Sequence, residues 1–350
     1  MNIDSIGDCI LDETSTPDEL CAAMDGFVQI CSEISGIKPD RSFDAWAEDT
    51  LLASGVAINP QAAAHCAVDY QRSIVFIRGV YAALNALKLR FPNTTLEILY
   101  AGCGPFATLL LPVLGKFSPG ELAVTLLDIH QSSLDSAVLL LDELGLSAHQ
   151  VQAIRGDACL YKHDEDAHLV IAETMQKSLE QEPQFAVTAN LAPQLGPDGI
   201  FIPQSIEVTL CLADLEHEKE LIVPSQRLDH LSLEACGQRY PLTTVCDLLP
   251  EYAADQMQAA IENATAARLE LNPTVVTIPE VPDIERFNAV LFTRIRVFGQ
   301  HGLQDYECEI TLPLRCYELE PLKVGQRFQV SYQLGEYPKF DFDVLDTEPT

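Results

Sequence analysis

Between residues 96 and 213 the chain alternates short apolar runs with amphipathic stretches of helical spacing. "LEILYAG", "LAVTLLDI", "VQAIRGDA", "DAHLVIAE" and "GIFIPQSIEVTLCLA" predict strands. "PFATLLLPVLGKF", the serine-capped "SSLDSAVLLLDELGL" and "FAVTANLAPQL" predict helices between them. Strands separated by helices of this length form βαβ units around a parallel sheet, so this part predicts a Rossmann-like α/β domain. Upstream, residues 1 to about 60 predict short acidic helices, and "PQAAAHCAVDYQRSIVFIRGVYAALNALKLR" predicts one alanine-rich helix or two. Past about residue 205 the period changes to two: "NAVLFTRIRVFG", "DYECEITLPL", "RFQVSYQLG" and "KFDFDVLD" predict the strands of a barrel or sandwich. One helical insert, "LLPEYAADQMQAAIENATAARLEL", interrupts them. The expected division is a helical segment at 1–60, a Rossmann-like domain at 61–205, and a β-rich domain at 206–350 with a helical excursion near 250–270.

The composition narrows the class. A chain of 350 residues with 47% hydrophobic content has ample core, and no apolar window reaches membrane-spanning length. The acidic start, "MNIDSIGDCILDETSTPDEL", has no basic n-region and predicts no signal peptide. The eleven cysteines are scattered without a C-x-x-C pair, which predicts reduced thiols in the cytoplasm and neither a disulfide framework nor a metal site. With 52 acids against 21 bases, net −31, the surface repels nucleic acid and anionic membrane, so neither is an expected partner. A cationic substrate would be attracted, although acidity for solubility gives the same balance.

The first strand runs into "AGCGPFATLL", with Gly102, Cys103 and Gly104 in the strand-to-helix turn and Pro105 suited to the first helical position. Ligands of such sheets bind at the carboxyl ends of the strands. Asp128 ends the second strand, 26 residues after Gly102, where an acid can hold the two hydroxyls of a ribose. The string also satisfies G-x-G-x-x-A through Ala107, so a nicotinamide dinucleotide and S-adenosylmethionine both remain open. Asp157 and Ala158 follow the third strand, where a carboxylate and a backbone amide can meet an adenine. This succession resembles the S-adenosylmethionine-dependent methyltransferase fold.

After the fourth strand comes "AETMQKSLEQE", acids that are costly to desolvate unless a cation meets them. Glu173 and Glu182 stand nine residues apart around an expected hairpin, and Glu180 is expected at the surface. With Asp198–Gly199 and Ile202–Pro203 downstream, the stretch resembles the double-E loop of the protein arginine methyltransferase family. "GCGP" is more similar to the symmetric branch of that family, and "DYQRSIVFI" to its cofactor-touching helix. The resemblance implies S-adenosyl-L-methionine as cofactor. It implies Tyr70, Arg72, Gly102, Cys103, Gly104, Asp128, Asp157 and Ala158 as its contacts, with Arg78 an alternative to Arg72. Glu173 and Glu182 are implied as the catalytic pair, orienting a delocalised guanidinium.

The family's Thr-His-Trp loop is absent from the C-terminal half, the only tryptophan being Trp46, and Tyr100 stands where an acid is usual. The eight histidines show no ligand spacing, and His65 and His168 read as packed or surface groups. The expected activity is methyl transfer to a guanidino or other cationic nitrogen, arginine (free or peptidyl) foremost. Two other classes stay open, a non-catalytic cofactor-binding scaffold and an NAD(P)-dependent oxidoreductase. A homodimer is an expectation tied to the helical excursion, read as a dimer arm.

Overall fold

The computed structural model describes residues 2–42, 48–221, 238–265 and 269–345, with only the backbone of 219–221. Trp46, residues 266–268 of the helical insert and Asp346 lie outside the described residues.

Five strands form the central sheet: β3 (Leu96–Ala101), β4 (Leu122–Asp128), β5 (Gln150–Arg155), β6 (Ala167–Ala172) and β7 (Leu195–Ile202). Their order is β5-β4-β3-β6-β7, and the pairs are parallel throughout. The chain therefore winds one way from β3 through β4 to β5, then crosses back to β6. The carboxyl ends of β3 and β6 flank the point where the winding reverses, which is where open α/β sheets bind ligands.

Strand alternation supplies both faces. Ile98 and Tyr100 of β3 face the main core, while Leu99 and Ala101 face a second cluster with Val170, Ala172, Val187 and Phe201. The main face is covered by α1 (Ile3–Leu11), α2 (Pro17–Ser35), α4 (Tyr70–Arg90) and α6 (Gln131–Glu143). The alanine-rich stretch is two helices, α3 (Pro60–Cys66) and α4, separated at Asp69. The other face carries α7 (Gln184–Leu191).

Four local expectations change. Residues 50–57 form a two-stranded hairpin, β1 (Thr50–Leu52) with β2 (Gly55–Ala57), where a helix was expected. "PFATLLLPVLGKF" is mostly turns and becomes helical only at α5 (Leu111–Leu114). Ala107 adopts φ 42°, a left-handed conformation that a continuous helix from Pro105 cannot contain. The helix α6 has His130 at its N-cap and makes no side-chain cap, so the serine cap is not formed. "DYECEITLPL" is a short 3₁₀ turn with a two-residue strand, β13 (Leu314–Arg315), because Asp305 at its start is buried in an ion network.

The C-terminal half is antiparallel. One sheet runs β12 (His301–Leu303), β11 (Asn288–Phe298), β8 (Ser205–Ala213), β9 (Tyr240–Leu248), and β13 also pairs with β11. The other runs β10 (Glu270–Thr277), β14 (Arg327–Gln333), β15 (Lys339–Leu345). Two helices belong to this half, α8 (Leu215–Leu221), whose Leu215 packs against β8 and β11, and the helical excursion, α9 (Pro250–Glu262). Rather than projecting, α9 packs against α7 of its own chain, burying Ala253 and Ala260.

Candidate active site

A cleft opens at the carboxyl ends of β3, β4, β5 and β6. Gly102, Cys103, Gly104, Asp128, Asp157, Ala158, Arg72, Glu173 and Glu182 all line it. Their convergence follows from the topology, because each ends or directly follows a parallel strand except Arg72, which stands on α4, and Glu182, which the loop after β6 carries back to the cleft.

The glycine turn is shaped for a close approach. Gly102 and Gly104 adopt φ of 64° and 63°, and a Cβ on Gly102 would lie 2.5 Å from Thr174 Cγ2. Asp128, 8% exposed, accepts the Gly104 N–H at 2.9 Å and the His130 N–H at 2.8 Å, one on each carboxylate oxygen. Those two bonds fix the carboxylate and leave lone pairs for further donors. Asp157 accepts the Cys159 N–H at 2.8 Å, so it closes its own turn while one of its oxygens remains for a ligand.

Two expected contacts stand elsewhere. Tyr70 does not line the cleft, and its hydroxyl donates to Asp25 on α2. Arg78 donates to the Ile10 carbonyl at 2.6 Å and the Asp12 carbonyl at 3.1 Å, tying down the end of α1. Arg72 does line the cleft, but its guanidinium bonds Glu173, so its first role is as partner of that acid. His168 accepts the Glu97 N–H at 3.0 Å through Nδ1 and is half-buried, away from the cleft.

The acidic loop is not a hairpin. Lys177–Leu179 make a 3₁₀ turn, and Ser178, Leu179 and Gln181 all have left-handed φ. Such a backbone persists only where its surroundings over-determine it. They do so here: Ser178 N–H donates to Thr293 Oγ1 at 3.0 Å, Tyr332 donates to the Leu179 carbonyl at 2.6 Å, and Gln181 N–H donates to the Pro338 carbonyl at 2.7 Å. The β-rich half thus holds the loop that carries both glutamates. Glu180 is half-buried rather than exposed, and stands outside the cleft.

Electrostatically the two glutamates differ. The Glu173 side chain, 7% exposed, is paired with Arg72 through Oε2, while Oε1 is buried without a hydrogen-bond partner among the described residues. Burial and the paired glutamate hold Glu182 up to about 8, against the opposing pull of Arg72. Burial opposes the charge on Arg72, but the Glu173 carboxylate holds its guanidinium well above the ordinary value. At neutral pH this end of the cleft therefore holds one ion pair and one protonated acid.

The hairpin β1–β2 crosses the mouth. Leu52 and Val56 line the cleft, Thr50 Oγ1 lies 3.0 Å from His130 Nε2, and Val56 N–H donates to the Gln181 carbonyl at 2.7 Å. A Cβ on Gly55 would fall 2.8 Å from the Pro183 nitrogen, so the strand lies directly on the Glu182 segment. Sequence reasoning missed this hairpin, and also Thr174 and Gln184, which brace the acidic loop. Only the turn residues at 53–55 signalled the first, and nothing in a local pattern signals the others.

Among the described residues no three His, Cys, Asp or Glu side chains gather to hold a metal ion, and no helix is long and apolar enough to cross a membrane. No family model and no curated protein matches the chain. Among solved structures, it is similar to a Trypanosoma brucei PRMT1 enzyme–prozyme heterotetrameric complex with AdoHcy, with a TM-score of 0.46, 12% identity, and coverage of 79% of this chain and 96% of that one. It is also similar to Arabidopsis thaliana protein arginine methyltransferase 10 in an open conformation, with a TM-score of 0.43, 13% identity, and coverage of 77% and 94%.

Proposed function

We propose that the protein is an S-adenosylmethionine-dependent N-methyltransferase acting on a guanidino nitrogen, with arginine, free or peptidyl, as the first candidate. One observation carries this reading: a single cleft joins a glycine turn with two nucleoside-side carboxylates to a pair of buried glutamates, one of which has an unpartnered oxygen. A buried carboxylate oxygen without a partner is costly, so the site favours a donor that fills it. A guanidinium brings several N–H donors in a planar fork and meets that need.

The cofactor fits the residues present. The cradle at Gly102 admits no Cβ, Asp128 is held by two backbone N–H groups with lone pairs to spare, and Asp157 with Ala158 lines the far end. Bound there, S-adenosylmethionine supplies an electrophilic sulfonium methyl group. A dinucleotide fits less well. Its pyrophosphate is ordinarily met by a helix N-terminus at the glycine turn, and here turns run from Gly104 until the helix at Leu111.

The chain's own residues then divide the work. Glu173, held by Arg72, accepts a guanidinium N–H through Oε1 and orients the group. Glu182 gives up its proton to solvent as the cation arrives, because the new positive charge offsets the burial and the neighbouring glutamate that raise its pKa. The ionised pair holds positive charge away from the attacking nitrogen, and Glu182 is positioned to take the proton released after transfer. Positioning supplies most of the rate.

Two assays test this. S-adenosylhomocysteine should raise the melting temperature while NAD(P) does not, since only a ligand of the folded state stabilises it. Labelled methyl from S-adenosylmethionine should appear on arginine, an arginine peptide or another guanidino compound with the wild type, and not with Glu173→Gln. Stabilisation by NAD(P) alone, or transfer unaffected by that substitution, sinks the proposal.

A further inference from the structure

Gln184, two residues past Glu182, is fully buried, and both ends of its amide are doubly bonded. Its Oε1 accepts the Thr174 N–H at 2.8 Å and the Thr174 hydroxyl at 3.2 Å. Its Nε2 donates to the Ala172 carbonyl at 3.0 Å and lies 3.2 Å from Thr188 Oγ1. Thr188 in turn donates to the Gln184 carbonyl at 2.8 Å. One side chain therefore clips the residue before Glu173 and the residue after it to the start of the helix that follows Glu182.

The clip also reaches the cofactor side. Holding the Thr174 hydroxyl turns its methyl toward Gly102, where a Cβ would meet Thr174 Cγ2 at 2.5 Å. The glycine turn, the first glutamate and the second are thereby tied through one amide. We infer that Gln184 is a positioning residue that sets the separation of Glu173 and Glu182 and their distance from the glycine turn, without itself touching a ligand. Gln184 does not line the cleft, which is why it acts through its neighbours.

An amide is needed because the brace must accept at one end and donate at the other, and the site excludes the water that would replace either bond. A carboxylic acid can do the same only while protonated. Ionised, it would still accept from Thr174 but would set a lone pair against the Ala172 carbonyl.

The inference rests on the glutamate reading above, and the experiment separates the two. Gln184→Leu and Gln184→Glu are compared with the wild type for S-adenosylhomocysteine affinity, kcat and KM for a guanidino acceptor, and pH profile. Gln184→Leu should keep cofactor affinity within ~3-fold and lose ~30-fold or more in kcat, since small misplacements of reacting groups cost about two orders of magnitude. Gln184→Glu should regain activity at low pH and lose it as the introduced carboxyl ionises, a fall the wild type lacks. Wild-type kcat in Gln184→Leu, or a Gln184→Glu profile parallel to wild type, overturns the inference. If Gln184→Leu does not fold, the Gln184→Glu profile decides. If the wild type transfers no methyl group, the activity reading fails. The brace is then read from the Glu182 carboxyl stretch in infrared difference spectra, assigned with Glu182→Gln. A shift of its titration to lower pH in Gln184→Leu, which adds no charge, supports the brace, and an unchanged titration overturns it.

Discussion

Two places among the described residues bury acids against arginine, and they are balanced differently. In the β-rich half Arg239 lies between Glu218 and Asp305, and Arg294 joins Asp305. All four carboxylate oxygens accept: Glu218 Oε1 at 2.7 Å and Oε2 at 3.1 Å from Arg239, Asp305 Oδ2 at 2.6 Å from Arg239, and Asp305 Oδ1 at 3.1 Å from Arg294. The guanidinium of Arg239 also stacks 3.8 Å over Phe292. Two cations meet two anions, and nothing is owed. At the cleft one arginine serves two glutamates, one oxygen is unpartnered, and the second acid stays protonated near neutrality. A closed network holds a fold together, whereas an open one is a place for a missing cation.

Breaking each network should therefore give different losses. The largest effect is expected from Glu173→Gln, with loss of ~10³-fold or more in acceptor turnover, consistent with removal of one positioning charge at a reacting centre. It should leave S-adenosylhomocysteine binding within a few-fold by calorimetry. Arg239→Leu should do the reverse. It should cost about 3–5 kcal/mol of stability in denaturant unfolding, because buried Glu218 loses its arginine and buried Asp305 loses one of its two, and leave kcat of the folded fraction near wild type.

Next in size, Gly102→Ala should weaken S-adenosylhomocysteine binding ~10-fold or more. Its Cβ would meet Thr174 and the left-handed backbone becomes strained. The smallest effect concerns pH. Glu182 is raised in the folded chain to about 8 from an ordinary 4.5, so the folded state binds the extra proton between those values. Its contribution to stability is complete below the ordinary value and is lost as pH rises through about 8. The melting temperature of Glu182→Gln, measured against wild type, should thus gain progressively on moving from mildly acidic to mildly alkaline buffer. A constant difference contradicts a buried protonated acid.

The sheet was legible as parallel because its inner strands, β3, β4 and β6, are near-continuous apolar runs separated by helical stretches; the strand order was not read from the sequence. The β-rich half was legible where alternation coincided with real pleating, as in Asn288–Phe298, and misleading at 305–314, where Asp305 serves the Arg239 network and Glu309 pairs with Arg41. The turns after Gly104 were not legible because Ala107 takes a left-handed conformation that only tertiary packing explains. Strand-end positions and nine-residue spacing were enough to bring Glu173, Glu182, Asp128 and Asp157 to one cleft. Which carboxylate Arg72 would meet, and that Gln184 would clip both ends of the loop, are facts about distances across the fold. No local pattern carries them.

The imbalance at the cleft can be measured directly. With S-adenosylhomocysteine present, titration of an arginine ligand by calorimetry in buffers of different ionisation enthalpy counts protons released on binding. At neutral pH about one proton should leave per cation bound, supplied by Glu182, and none in Glu182→Gln. Binding without proton release, or the same release from Glu182→Gln, would contradict an open acid pair completed by its substrate.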